Sequence, residues 1–151
     1  MNSLWLSTGQ LLTNTGGISM GVWIIPCNSN FYDIEGAFER FDRLDWKQSR
    51  KLEVGDVVYI YVGRPTKAIM YKCRVNKTNL PELEIDDSAF VINDSAYANY
   101  GNYMELELLH KFRPDQLPLE TLFDHGLQGN IQGPRHASAE LQNLFRAAEC
   151  V

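Results

Sequence analysis

"VGDVVYIYVGRPTKAIMYKCRV", residues 54–75, contains two consecutive strands and the turn that joins them. Strong punctuation bounds the first strand: Gly55–Asp56 before it and Gly63–Arg64–Pro65 after it. Between them Val57, Tyr59 and Tyr61 alternate with Val58, Ile60 and Val62, so both faces are apolar and both need cover. In the second strand Ile69, Tyr71, Cys73 and Val75 fall on one face, with Met70, Lys72 and Arg74 on the other. That is a half-exposed strand with a basic outer side.

The flanking sequence supplies the rest of a sheet and the elements that cover it. Residues 22–26, "VWIIP", read as an interior strand that Pro26 ends. A polar turn follows, Cys27–Asn28–Ser29–Asn30, and then the aromatic pair Phe31–Tyr32. Asp33 can cap a helix whose apolar stripe is Ile34, Ala37, Phe38, Phe41 and Leu44. "YMELELL" sets Met104, Leu106 and Leu108 against Glu105 and Glu107, another half-exposed strand. Residues 78–102 are acidic and polar, with a weak strand signal at 89–92. "PDQLPLETLFDHG" predicts a short helix closed by Gly126, and "SAELQNLFRAAE" a final helix capped by Ser138 with Leu141, Leu144 and Phe145 inward. The expected fold class is α+β: a small, curved, mostly antiparallel sheet closing toward a barrel, with helices packed at its ends.

A chain of 151 residues, 44% hydrophobic and 22% charged, is sized for one domain, here placed at residues 20–151. Residues 1–19 lack a basic n-region and read as a polar arm or upstream extension rather than a signal peptide. Three cysteines without a CxxC point to reduced, buried thiols and a cytoplasmic protein. No apolar run is long enough to span a membrane. Net charge is −5, which disfavours bulk attraction to polyanions. Residues 40–77, however, carry ten Lys/Arg against four acids, so this segment is net +6 and the remainder net −11. The asymmetry is compatible with one phosphate-facing side.

Catalytic constellations are thin. Asp86–Asp87 reads as a solvated turn, and His110, His125 and His136 are too scattered for a metal motif. There is no P-loop, GxGxxG or GxSxG, and Cys27 beside His136 is the one conceivable nucleophile pair. We therefore expect a binding module with no catalysis, no metal and no cofactor of its own. The alternative chemistry is a site of stacking surfaces and amides, built from Asn28, Ser29, Asn30, Tyr32, Trp46, Gln48, Tyr59 and Tyr61. Aromatics cover the faces of a flat ligand, while amides offer a donor and an acceptor to its edge. Core packing of the same aromatics is the competing explanation.

The series "VWIIPCNSNFYD", "DW" at Asp45–Trp46 and "VGDVVYIYVGRPTKAIMYKCRV" resembles an EVE domain of the PUA-like superfamily. The closing "HGLQGNIQGPRHASAELQNLF" resembles the end of EVE modules in modification-dependent restriction endonucleases of the HNH type. The likeness covers residues 20–146 and implies a PUA-like barrel that reads modified nucleobases. In the nuclease-linked modules the ligand is a flipped 5-methyl- or 5-hydroxymethylcytosine in DNA; the related YTH domains read a methylated adenine in RNA. By position, Cys27, Asn28 and Ser29 match the polar turn lining the family pocket, Trp46 matches the cage tryptophan, and Tyr32, Tyr61, Gln132 and Gly133 are further matches. The implied partner is nucleic acid, with Lys47, Arg50, Arg64, Lys67 and Arg135 expected at phosphates. Two departures stand out. The Asn-containing stretch of many stand-alone EVE proteins is missing after Trp46, and no HNH motif follows within these 151 residues. The chain is thus expected to be a solitary reader or the reader part of a longer enzyme. An RNA-binding PUA-like module and a small-molecule or protein-interaction module remain alternatives.

Overall fold

Each face of β3 (Val57–Val62) feeds a different core, and this organises the domain. The computed structural model describes residues 21–92 and 102–151; the expected arm at residues 1–19 lies outside them. In chain order the elements are β1 (Val22–Cys27), α1 (Ile34–Arg40), β2 (Arg43–Lys47), β3, β4 (Ala68–Leu80), β5 (Tyr103–Lys111), α2 (Leu119–Asp124), β6 (Arg135–His136) and α3 (Ala139–Glu149), with a 3-10 turn at Ser88–Phe90. One six-stranded sheet runs in the order β2-β5-β4-β3-β1-β6. It is α+β as expected, but it is not a closed barrel: β2 and β6 stand at opposite edges. It is mixed and mostly antiparallel, as expected: β1 runs parallel to β3, with Val22 opposite Val57 and Cys27 opposite Val62, and the other described pairs are antiparallel.

On one face Val58, Ile60 and Val62 pack with Trp23, Ile25, the inner side of α1 (Ile34, Ala37, Phe38), and Leu44 and Trp46. On the other, Ile24, Tyr59 and Tyr61 meet Phe112, Leu117, Leu122, and Leu141 and Phe145 of α3. Helix α3 begins where expected, with the Ser138 hydroxyl accepting from Leu141 N (3.2 Å). Leu141 and Phe145 are buried, whereas Leu144 is half-buried. Gly126, at φ 96°, supplies the left-handed residue that releases the chain just after α2.

Four strand-level expectations change. Pro26 does not end β1; it lies within the strand opposite Tyr61. What stops there is the ladder on the other side. Ala137 N donates to Val22 O (2.8 Å), and Ile24 faces Arg135, so the next hydrogen-bonded pair would be Pro26 with Gly133. Proline has no N–H to give it. The apolar stripe drawn through Phe41 and Leu44 overran the helix: α1 ends at Arg40, Phe41 is already extended, and Leu44 lies in β2. The third change is in β4, where Ile69 does not share a face with Tyr71. The β3–β4 register shifts between Ile60 and Tyr61, a bulge at Met70 that sends Ile69 to the α3 side. Finally, the strand signal at 89–92 is a 3-10 turn followed by a single bridge from Val91 to Tyr32. Of the cysteines, Cys27 and Cys73 are buried as expected, but Cys150 is exposed. Among the described residues no helix is long and apolar enough to cross a membrane.

Phe145 is fully buried, with its ring 4.4 Å from that of Tyr59. Phe145→Ala should lower the free energy of unfolding by about 3–5 kcal/mol in a urea titration.

Candidate functional site

Because β1 and β3 are parallel and in register, their C-terminal ends finish side by side. The polar turn after β1 therefore lies against the turn after β3. Gly63 N donates to Cys27 O (3.0 Å), and the Ser29 hydroxyl donates to Arg64 O (3.0 Å). Within the polar turn, Asn28 O accepts from Phe31 N (3.0 Å) and Tyr32 N (3.2 Å), while Asn28 Oδ1 accepts from Asn30 N (2.9 Å). The Asn28 side chain thus spends its oxygen on the loop and keeps its amide N–H groups to offer.

Over these paired ends opens a cavity of about 710 Å³. Cys27, Asn28, Trp46, Tyr61, Gln132 and Gly133, all expected at a pocket, line it together. Trp46 arrives from β2 on one face of the sheet, and Tyr61 from the opposite face. The segment at 131–134 closes the far side, where the β1–β6 ladder has stopped. Lys47 and Arg64 are the only charged residues among the described lining, and both are positive. Tyr61 is held in its neutral form by burial, which raises its pKa against the opposing pull of Arg64.

Other expected residues lie elsewhere. Ser29 faces a neighbouring cavity and serves the turn. Tyr32 is buried behind Trp46, ring edge to face (5.6 Å between centroids), and donates to Asp87 Oδ2 (2.5 Å). Tyr59 packs under α3 and donates to Glu149 Oε2 (3.1 Å), so it belongs to the core. Gln48 is used up by backbone, donating to Arg50 O (3.1 Å) and accepting from Asn79 N (2.8 Å). Cys27 and His136 are not neighbours. His136 stacks on Trp23 (3.9 Å), four residues and ~13 Å back along β1 at about 3.3 Å per residue.

The basic segment does not form one face. Lys72 pairs with Glu149 (2.8 Å), Arg74 with Glu107 (2.8 Å), and Lys77 with Glu84 (3.1 Å). Of the residues expected at phosphates, Lys47 and Arg64 reach the cavity, while Arg50, Lys67 and Arg135 do not line it. Arg135 donates to Gln128 O (2.8 Å) and braces the loop that carries Gln132.

Sequence reasoning missed Phe31, Ile131 and Pro134 in the lining, and two acids behind it. Asp87 is no solvated turn residue: it is 8% exposed and bonded to Tyr32. Burial, with smaller help from the charges of Asp45 and Asp86, holds its carboxyl above the usual range despite the Tyr32 hydroxyl. Among the described residues no cluster of three or more His, Cys, Asp or Glu is placed to hold a metal.

The open sheet with one parallel pair, flanked by helices on both faces, belongs to a fold found in several solved structures at low sequence identity. Solved structures that share it include the ASCH protein of Zymomonas mobilis, with TM-score 0.57, 11% identity, and 84% of this chain matched to 94% of that one. A protein from Pseudomonas putida matches at TM-score 0.56 and 15% identity over 85% and 99% of the two chains. A Leishmania major protein matches at 0.53 and 15% over 87% and 96%. No family model matches the sequence, and no curated protein does. At 11–15% identity the likeness is one of fold alone, and the neighbour with a named domain is an ASCH protein rather than an EVE domain.

An acid with a raised pKa binds more protons folded than unfolded, so stability falls as pH rises between its ordinary and its raised value. Asp87→Asn keeps an acceptor for Tyr32 and removes the charge. Thermal melts should show this variant gaining on the wild type near neutral pH, with the gain shrinking toward about pH 4, near the ordinary carboxyl value.

Proposed function

We propose that the chain is a non-catalytic nucleic-acid reader that takes a flipped modified base into the 710 Å³ cavity. The observation that carries this reading is the lining: aromatic Trp46, Tyr61 and Phe31, amides of Asn28 and Gln132, and positive charge only, from Lys47 and Arg64. Such a set suits a flat, polar-edged group attached to an anionic backbone. Stacking contributes about 1–3 kcal/mol per base and offsets the few kcal/mol needed to take a base out of the duplex. Lys47 and Arg64 at the rim answer the flanking phosphates. The sequence likeness to EVE modules favours 5-methyl- or 5-hydroxymethylcytosine in DNA. A methyl group contributes only ~0.8 kcal/mol by burial, so selectivity depends on a close-fitting wall, for which Cys27 and Ile25 are placed. A modified RNA base would use the same cavity, and the fold shared with ASCH proteins is common to both readings.

Fluorescence polarisation with plain, methylated and hydroxymethylated duplexes tests the modified-base reading. Equal affinity for the three would overturn it, and single-stranded RNA outcompeting every duplex would move the assignment to RNA. Salt-independent binding would point to a small-molecule or protein ligand instead. Arg64→Ala should reduce the slope of log K against log salt by about 0.9 on duplex DNA. Gly133 has open space where a Cβ would stand, so Gly133→Leu should fill the cavity and weaken binding while leaving the melting temperature unchanged.

A further inference from the structure

The turn at 27–30 presents Asn28 and Asn30 to the base cavity, but Ser29 to a second cavity of about 290 Å³. The start of α1 brings two carboxylates to this space, Asp33 and Glu35, and β4 brings Tyr71. Ile34, Val62 and Met70 add apolar wall. Both acids have a local use: Asp33 Oδ1 caps α1 by accepting from Gly36 N (3.1 Å), and Glu35 lies in the first turn. Tyr71 has no such explanation. It is 5% exposed, with its ring packed on Phe38 (4.9 Å between centroids), and its hydroxyl has no hydrogen-bond partner among the described residues. The one sealed side-chain polar atom without a partner among those residues is Asp45 Oδ1, so the Tyr71 hydroxyl keeps its opening to the cavity. Burial, followed by the charges of Glu35, Cys27, Asp33 and Glu39, raises its pKa and holds it as a neutral phenol.

A buried hydroxyl that meets no partner calls for one, and two carboxylates beside it set the sign of that partner. The chain does not supply a cation itself. All 14 of its Lys and Arg lie within the described residues, and none lines this cavity or pairs with Asp33 or Glu35. Phosphates are repelled by such a lining, which excludes a stretch of nucleic acid. The open acceptors are Asp33 Oδ2, the two oxygens of Glu35 and the Tyr71 oxygen. An ammonium has three N–H groups for them, whereas a guanidinium has five, in a planar fork that is less strongly hydrated and better suited to a half-apolar site. Ile92 stands in the same lining and is 61% exposed. A bare apolar residue beside a charged recess is the mixture found at protein interfaces, where arginine is enriched.

We propose that this cavity receives an arginine side chain from a partner protein, its guanidinium donating to Asp33, Glu35 and the Tyr71 oxygen. The stem of that side chain lies along Ile34, Val62 and Met70. The site is separate from the base cavity and does not depend on the reader assignment. The two are nevertheless joined through one turn, because the Ser29 hydroxyl that lines the acidic cavity donates to Arg64 O (3.0 Å), and Arg64 lines the basic one.

The test titrates the full chain with N-acetyl-arginine methylamide at constant ionic strength, reading calorimetry and the NMR signals of ring-labelled tyrosines. The citrulline analogue, of the same shape but uncharged, is the control, and the lysine analogue presents an ammonium instead. We expect saturable binding of the arginine compound, with a shift of the tyrosine signal that is missing from Tyr71→Phe. Tyr71→Phe keeps the ring on Phe38, so it should fold, and it should weaken binding about tenfold. Glu35→Gln, at an exposed position, and Asp33→Asn, which still caps α1, should weaken it as well. Should Tyr71→Phe fail to fold, Glu35→Gln decides: unchanged binding there overturns the proposal. Equal binding of the arginine and citrulline compounds, tighter binding of the lysine compound, unchanged binding by a folded Tyr71→Phe, or no binding to the wild type would also overturn it. Agmatine carries the same guanidinium on a free amine, and tighter binding of agmatine than of the arginine compound would overturn the protein source.

Discussion

The parallel pairing of β1 with β3 is the constraint on which the rest of the molecule depends. Six residues of each strand run in register, so the strands begin together and end together. Asp56 fixes the beginning. Its carboxylate accepts from Gly21 N (2.8 Å), from the Trp23 indole (3.1 Å) and from Glu53 N (2.9 Å), tying the start of β1 to the turn before β3. The ends then coincide without further help, and two loops far apart in sequence become neighbours through the Cys27–Gly63 and Ser29–Arg64 bonds. A cavity at that position follows from strand length and register rather than from any single lining residue.

Charge is distributed by the same geometry. Outward positions of β4 are basic, and the strand beside it carries Glu105 and Glu107, so cross-strand and helix carboxylates neutralise Lys72, Arg74 and Lys77 where they stand. Exposed pairs of this kind contribute little to stability. Lys72, Arg74 and Lys77 are thus answered by carboxylates where they stand, whereas the described lining of the cavity includes Lys47 and Arg64 and no acid.

Much of this was legible in the sequence because it rests on local physics. The two-faced apolar alternation of residues 57–62, the Asp33 and Ser138 caps, and the glycine after α2 each depend on neighbours within a few positions. The turn at 27–30 and Trp46 were candidates by residue type, and the family likeness assigned them to one pocket. Strand β2 stayed hidden because Leu44 continues the helical spacing of Phe38 and Phe41, and only the sheet partner β5 decides otherwise. The bulge at Met70 leaves no mark on an alternating pattern, so Ile69 was given the wrong face. Asp45 and Asp87 look like solvated acids; what buries them is the packing of the 83–91 segment on β2, forty residues away in sequence. The fit of 131–134 over the cavity is likewise long-range, fixed by where the β1–β6 ladder breaks off.

That break has a further consequence for behaviour at high concentration. A strand edge with an unpaired row of amides invites a second chain to add to it, the ordinary route to edge-to-edge association. Beyond Ile24 the outer edge of β1 next turns to Pro26, which carries a carbonyl but no N–H. An incoming strand finds half of its ladder missing there and cannot be continued along the opening. The residue that parts the sheet and makes room for a ligand also guards the gap against the commonest wrong occupant, another β-strand.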